Sequence, residues 1–89
     1  MVQKRRSEIQ IIGEILDISK NGVKKTELLY QSNMSFTQLQ QYLDFMIKKN
    51  ILRENVVINH HGEPNKVYVT TPKGNELRTM IHKTLSYFE

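Results

Sequence analysis

The chain has 89 residues, no cysteine, and 13 Lys and Arg against 9 Asp and Glu, for a formal net charge of +4. That length predicts one domain, spanning 1–89, with only a small core. The missing cysteine excludes a disulfide framework and any thiolate metal site.

Hydrophobic residues at 38% and charged residues at 25% suit a folded domain rather than a disordered tail. The longest apolar runs, such as Val56–Ile58, fall far short of the roughly 20 residues of a membrane helix. The segment after Lys4, Arg5 and Arg6 is cut by Glu8, Gln10, Glu14 and Asp17, so no signal-peptide core is read. The expected compartment is the cytoplasm. The positive balance favours an acidic partner, nucleic acid first. The excess is concentrated early: residues 1–25 hold six Lys and Arg against three acids, and residues 26–50 hold two against two.

A first helix is predicted over about Ser7 to Ser19. Ser7 is its N-cap, because the hydroxyl can accept an early backbone N–H. Ile9, Ile12 and Leu16, with Ile11, Ile15 and Ile18, recur at helical spacing and make a wide apolar face. Asn21-Gly22 stops the helix, and Val23 opens a very short strand. A second helix is expected from about Lys25 to Gln31, with Thr26, Leu29 and Tyr30 inward. A polar turn follows, with Met34 as a buried plug. Ser35 then caps a third helix over about Phe36 to Asn50. At 100° per residue, Phe36, Leu39, Leu43, Met46 and Ile47 share one side, with Thr37, Gln38, Gln41, Asp44 and Lys48 opposite. Phe45 falls on the polar side, which predicts cover from the hairpin that follows, the last helix or a second subunit.

The period then changes. Leu52, Glu54, Val56 and Ile58 alternate, as do Val67 and Val69 against Tyr68 and Thr70; both β-branched segments read as strands. Asn59 to Asn65 reads as the hairpin loop. Thr71-Pro72 starts the last helix, about 72–89, with Thr as N-cap and Pro at the first helical position. Gly74 weakens it slightly. Its apolar residues Leu77, Met80, Ile81, Leu85 and Phe88, with Thr84, exceed what one small core needs. They form the expected homodimer face.

Helix, short strand, helix, helix, strand, hairpin, strand and helix make an α+β winged helix-turn-helix order. The run from Lys25-Thr26-Glu27-Leu28-Leu29-Tyr30 through Asn33-Met34-Ser35-Phe36 to Leu39, Tyr42 and Leu43 resembles a family of small archaeal winged helix-turn-helix proteins, predicted transcriptional regulators. Val67-Tyr68-Val69-Thr70-Thr71-Pro72-Lys73-Gly74 is similar to the segment that closes the wing in many winged-helix proteins. The resemblance spans roughly Arg6 to Leu85. It implies double-stranded DNA as partner and dimerisation through the C-terminal helix.

On that reading the third helix enters the major groove. Ser35, Thr37, Gln38, Gln41 and Asp44 are its expected reading set, because a Gln amide can bond adenine N6 and N7 together and Thr can meet a thymine methyl. Lys24, Lys25 and Lys48 are expected at phosphates, and Arg53, His60, Asn65 and Lys66 along the wing. Lys4, Arg5 and Arg6 form a basic arm or a solvated terminus. Adjacent His60 and His61 point to different sides of a hairpin, so no metal site is expected. No nucleophile–base pair or Gly-rich phosphate loop is present. The expectation is therefore a non-enzyme with no cofactor and no small-molecule substrate. A winged-helix protein-interaction module of the transcription machinery and a non-specific chromatin-type DNA binder are the alternatives.

Overall fold

The structure is a computed structural model that describes residues 7–88. Lys4, Arg5 and Arg6 lie outside the described residues. Helix α1 runs over Glu8–Ile18, strand β1 over Val23–Lys24, helix α2 over Lys25–Ser32 and helix α3 over Phe36–Lys48. Strands β2 (Leu52–Ile58) and β3 (Pro64–Thr70) form the hairpin, and α4 spans Pro72–Ser86. The α+β order expected from the sequence is the one observed.

Caps decide where the helices begin. Ser7 Oγ accepts from Gln10 N–H while the Gln10 side chain accepts from Ser7 N–H; Ser35 and Gln38 repeat this reciprocal cap on α3. Such a cap satisfies two otherwise orphan backbone donors. Thr71 Oγ1 accepts from Gly74 N–H at the start of α4, with Pro72 at the first helical position. Asn33 and Asn50 take left-handed backbone at φ 56° and 63°, closing α2 and α3.

The sheet is antiparallel in the order β1-β3-β2. Leu52 lies opposite Thr70, Glu54 opposite Tyr68, and Ile58 opposite Pro64, while Val23 pairs with Tyr68 from the other side. Ile15, Leu16, Leu28, Leu39, Leu43 and Met46 are completely buried, with Leu52 and Tyr68 nearly so. They fill the space between α1, α2, α3 and the inner end of the hairpin. Helix α4 lies on α1, where Gly13 leaves room for Ile81: a Cβ at Gly13 would stand 3.0 Å from Ile81 Cγ2. Arg78 and His82 on α4 reach the Asp17 carboxylate on α1 at 3.3 and 2.8 Å.

Several expectations are corrected. In α2 the inward residue is Leu28, whereas Leu29 is half-buried and Thr26 and Tyr30 are exposed. Pairing of Val23 with Tyr68 sets the helix's rotation as the chain leaves β1, so Leu28 and Ser32, one turn apart, face the core. Met34 is half-buried rather than a buried plug, and Phe36 projects outward from the first turn of α3. Helix α3 ends at Lys48, before the left-handed Asn50. The hairpin loop is shorter than expected. Asn59 Oδ1 accepts from His61 N–H and Glu63 N–H, which closes the turn and lets β3 begin at Pro64. A proline is tolerated as the first residue of a strand, and β1 reaches only Val67 and Tyr68. Beyond Leu52, β2 leaves the core, so Val56, Val57 and Ile58 are all exposed instead of alternating.

Candidate nucleic-acid interface

Helix α3 presents an outward stripe opposite Leu39, Leu43 and Met46. Thr37, Gln41, Asp44 and Lys48 are all exposed along it. Ser35 and Gln38 sit at its N-terminus, tied to each other: Ser35 Oγ accepts from Gln38 N–H at 3.2 Å, and Gln38 Oε1 accepts from Ser35 N–H at 3.4 Å. Gln38 is thus a capping side chain as well as an exposed amide. Gln41 stands at the rim of an apolar groove lined by Ile9, Ile12, Tyr42 and Phe45. Phe45, expected under the wing, the last helix or a second subunit, instead lines this groove beside α1 and remains exposed at 47%, covered by neither the wing nor α4.

The two lysines at the start of α2 differ. Lys24 is exposed, with no side-chain cap bond. Lys25 is half-buried; its ammonium lies 4.4 Å from the centre of the Phe36 ring and donates to Gln40 Oε1. Gln40 Nε2 in turn donates to Asp44 Oδ1 at 2.9 Å. Sequence reasoning missed Gln40. The available signal was a Gln and an Asp four residues apart on a helix, a spacing at which such pairs bond.

In the hairpin, Arg53, His60 and Lys66 are exposed and Asn65 is half-buried. Lys66 Nζ lies 3.9 Å from Glu54 Oε1, and the Tyr68 hydroxyl donates to Glu54 Oε2 at 2.8 Å. Burial pushes the Tyr68 phenol above its ordinary value. The hydrogen bond to Glu54 adds to this, as do the charges of Glu54 and Asp44. Neither Glu54 nor Tyr68 figured in the sequence-derived site, since cross-strand pairing of the two becomes visible only once the register is known. His60 and His61 stack obliquely, ring centres 4.0 Å apart.

On α4 the residues expected at a dimer face divide. Ile81 is buried within the protomer, and Leu77 and Leu85 are half-buried against its core. Met80 and Thr84 are exposed on α4, which ends at Ser86, short of the expected 89, and Tyr87 and Phe88 are exposed just beyond it.

A winged helix-turn-helix family profile matches residues 5–87. The chain belongs to the winged helix-turn-helix family. In the terms of that family, α2 and α3 are the helix-turn-helix and β2–β3 the wing. An uncharacterized protein of the archaeon Methanocaldococcus jannaschii is 35% identical over 52 residues, 57% of this chain and 54% of that protein. The match therefore spans about half the length of that relative. Among solved structures, Sso10a-2, a DNA-binding protein from Sulfolobus solfataricus, superposes with a TM-score of 0.76 at 27% identity, over 92% of this chain and 81% of that one. The smu.1704 protein of Streptococcus mutans shares the fold at a TM-score of 0.85 and 18% identity, covering 98% and 86% of the two chains. These archaeal likenesses agree with the resemblance carried by the Lys25–Leu43 motif. No helix among the described residues is long and apolar enough to cross a membrane.

Proposed function

We propose that this winged helix is a double-stranded DNA-binding transcriptional regulator, acting in the cytoplasm, with α3 as its major-groove reader. The observation that carries the reading is the exposed neutral-to-polar stripe Thr37–Gln41–Asp44 on the second helix of the helix-turn-helix, the element that enters the major groove in such folds. Lys24 and Lys48 flank the stripe and supply phosphate contacts. The lysines position the protein, and Thr37, Gln41 and Asp44 face the bases. The 27% identity to a DNA-binding archaeal protein of the same fold supports this.

A homodimer belongs to the same proposal. Met80 and Thr84 are exposed on the flank of α4 beside Ile81, and Tyr87 and Phe88 are exposed just past its end. Two chains would place two α3 helices on half-sites about 34 Å apart.

The test is fluorescence anisotropy against a selected duplex and a scrambled one. Gln41→Ala should weaken the selected site more than the scrambled one. Lys24→Ala should weaken both alike and reduce the salt slope by about one unit. Equal losses from both substitutions on both duplexes would refute base reading. The protein-interaction alternative draws on one observation, the open groove of Ile9, Ile12, Tyr42 and Phe45 beside Gln41. Salt separates the two: DNA affinity collapses between 50 and 200 mM salt by a factor of about 10³ or more when several phosphates are contacted, whereas an apolar protein contact hardly responds.

A further inference from the structure

The polar chain Lys25–Gln40–Asp44 has a direction. An ammonium only donates, so Lys25 Nζ must face the carbonyl oxygen of Gln40. That assigns the other end of the amide, Nε2, to Asp44 Oδ1 at 2.9 Å. The ring of Phe36 under the Lys25 ammonium anchors the head of the chain. Both ends of the Gln40 amide are therefore used within the protein, and Gln40 is not itself a base reader. Its effect is to hold the Asp44 carboxylate by one oxygen. Among the described residues, no donor reaches the second oxygen.

We propose that Asp44 reads the 4-amino group of a cytosine in the major groove, with Gln40 as the positioning residue that aims its carboxylate. This inference rests on the DNA-binding reading above. A carboxylate is acceptor-only. Guanine N7 and O6 and thymine O4 are acceptors and repel it. Adenine sets its amino group beside the N7 acceptor, whereas the cytosine amino group has only a C–H neighbour on its edge. In the base pair the adenine amino group lies between two acceptors, its own N7 and thymine O4, whereas the cytosine amino group has guanine O6 on one side only, so cytosine is the base that repels a fixed carboxylate least. Asp44 shares the exposed face of α3 with Lys48; on the DNA-binding reading that face meets the groove, where a negative charge disfavours every register lacking such a donor. Asp44 thereby gains specificity through repulsion as well as attraction.

The experiment is site selection from a randomised duplex library with the full chain, run for wild type, Asp44→Ala and Gln40→Leu. Asp44 is exposed, so the fold is expected to survive its loss, and thermal melts check this for both variants. Wild type should enrich a motif with a cytosine at one position. Asp44→Ala should lose that preference, by about tenfold, with the other positions intact, and should bind random DNA more tightly. Gln40→Leu should relax the same position in part and no other, a selective change that a general structural defect would not produce. Replacing the selected cytosine by an analogue lacking the 4-amino group should weaken wild type about tenfold and leave Asp44→Ala unchanged. If wild type enriches a motif that Asp44→Ala reproduces at every position, the Asp44 assignment is overturned while the DNA-binding reading stands. If wild type enriches no motif at all, sequence reading by α3 falls, and the assignment with it.

Discussion

Gly74 lies in the first turn of α4, where a Cβ would collide with the Ile51 carbonyl oxygen and stand 2.8 Å from Thr70 Cγ2. Helix propensity alone favours Gly74→Ala by about 1 kcal/mol. Packing argues the opposite, and more strongly. The Ile51 carbonyl accepts from Thr71 N–H at 3.2 Å, and the Thr71 hydroxyl donates to the Asn50 carbonyl at 2.6 Å. The obstructing atom is backbone, tied to the residues that cap α4, so it cannot turn aside as a side chain would. Overpacking costs about 1–3 kcal/mol; taking the upper value and subtracting the propensity gain leaves a net loss of about 2 kcal/mol. A domain of this size has roughly 4–13 kcal/mol in total, and its Tm should fall by about 8–16 °C. Urea denaturation and thermal melts of wild type and Gly74→Ala measure this directly. Gly13→Ala is the control, since its Cβ would meet only a side-chain methyl of Ile81, and its loss should be smaller. A Gly74→Ala protein as stable as wild type, or more so, would refute the packing argument and leave propensity as the dominant effect.

Three further outcomes are expected. Because folding raises the Tyr68 phenol above its ordinary value of about 10, its neutral form contributes stability that is complete below that value and is lost as pH rises through the higher folded one. Urea midpoints measured from about pH 8 to 12 should therefore fall more steeply for wild type than for Tyr68→Phe, and parallel curves would contradict this. Ser19 Oγ is buried and has no hydrogen-bond partner among the described residues, so Ser19→Ala should be neutral or stabilising by up to about 1 kcal/mol; a loss above that, read from the urea midpoint, would show that the hydroxyl is satisfied. Sedimentation should give a dimer at micromolar concentration for wild type and a monomer for the Met80→Glu, Tyr87→Glu double variant, while a monomeric wild type would remove α4 as an interface.

Local signals in the sequence determined the elements of this protein. Ser7, Ser35 and Thr71 cap helices because their hydroxyls sit just ahead of a turn of unpaired N–H groups. The change from helical to alternating period after Asn50 marked the hairpin, and the Lys25–Leu43 motif marked the family. Thr37, Gln41 and Asp44 were legible as an outward stripe because Leu39, Leu43 and Met46 fix the wheel of a long helix. Over the eight residues of α2 the same argument failed: pairing of Val23 with Tyr68, far away in the chain, chose Leu28 over Leu29 as the buried residue.

What depends on partners distant in sequence was decided by tertiary structure alone. Their place at the entry of the second helix paired Lys25 with Lys24 as expected phosphate ligands; in the structure Phe36 and Gln40 engage Lys25, while Lys24 remains exposed. Ile81 looked like part of a dimer face until the gap above Gly13 received it. Gly74 read as a slight weakness of α4 and is instead the residue that lets α4 start against the Ile51 carbonyl. A sequence pattern reports which face of an element is apolar, but not what stands opposite, and burial, close approach and hydrogen bonding are properties of the pair.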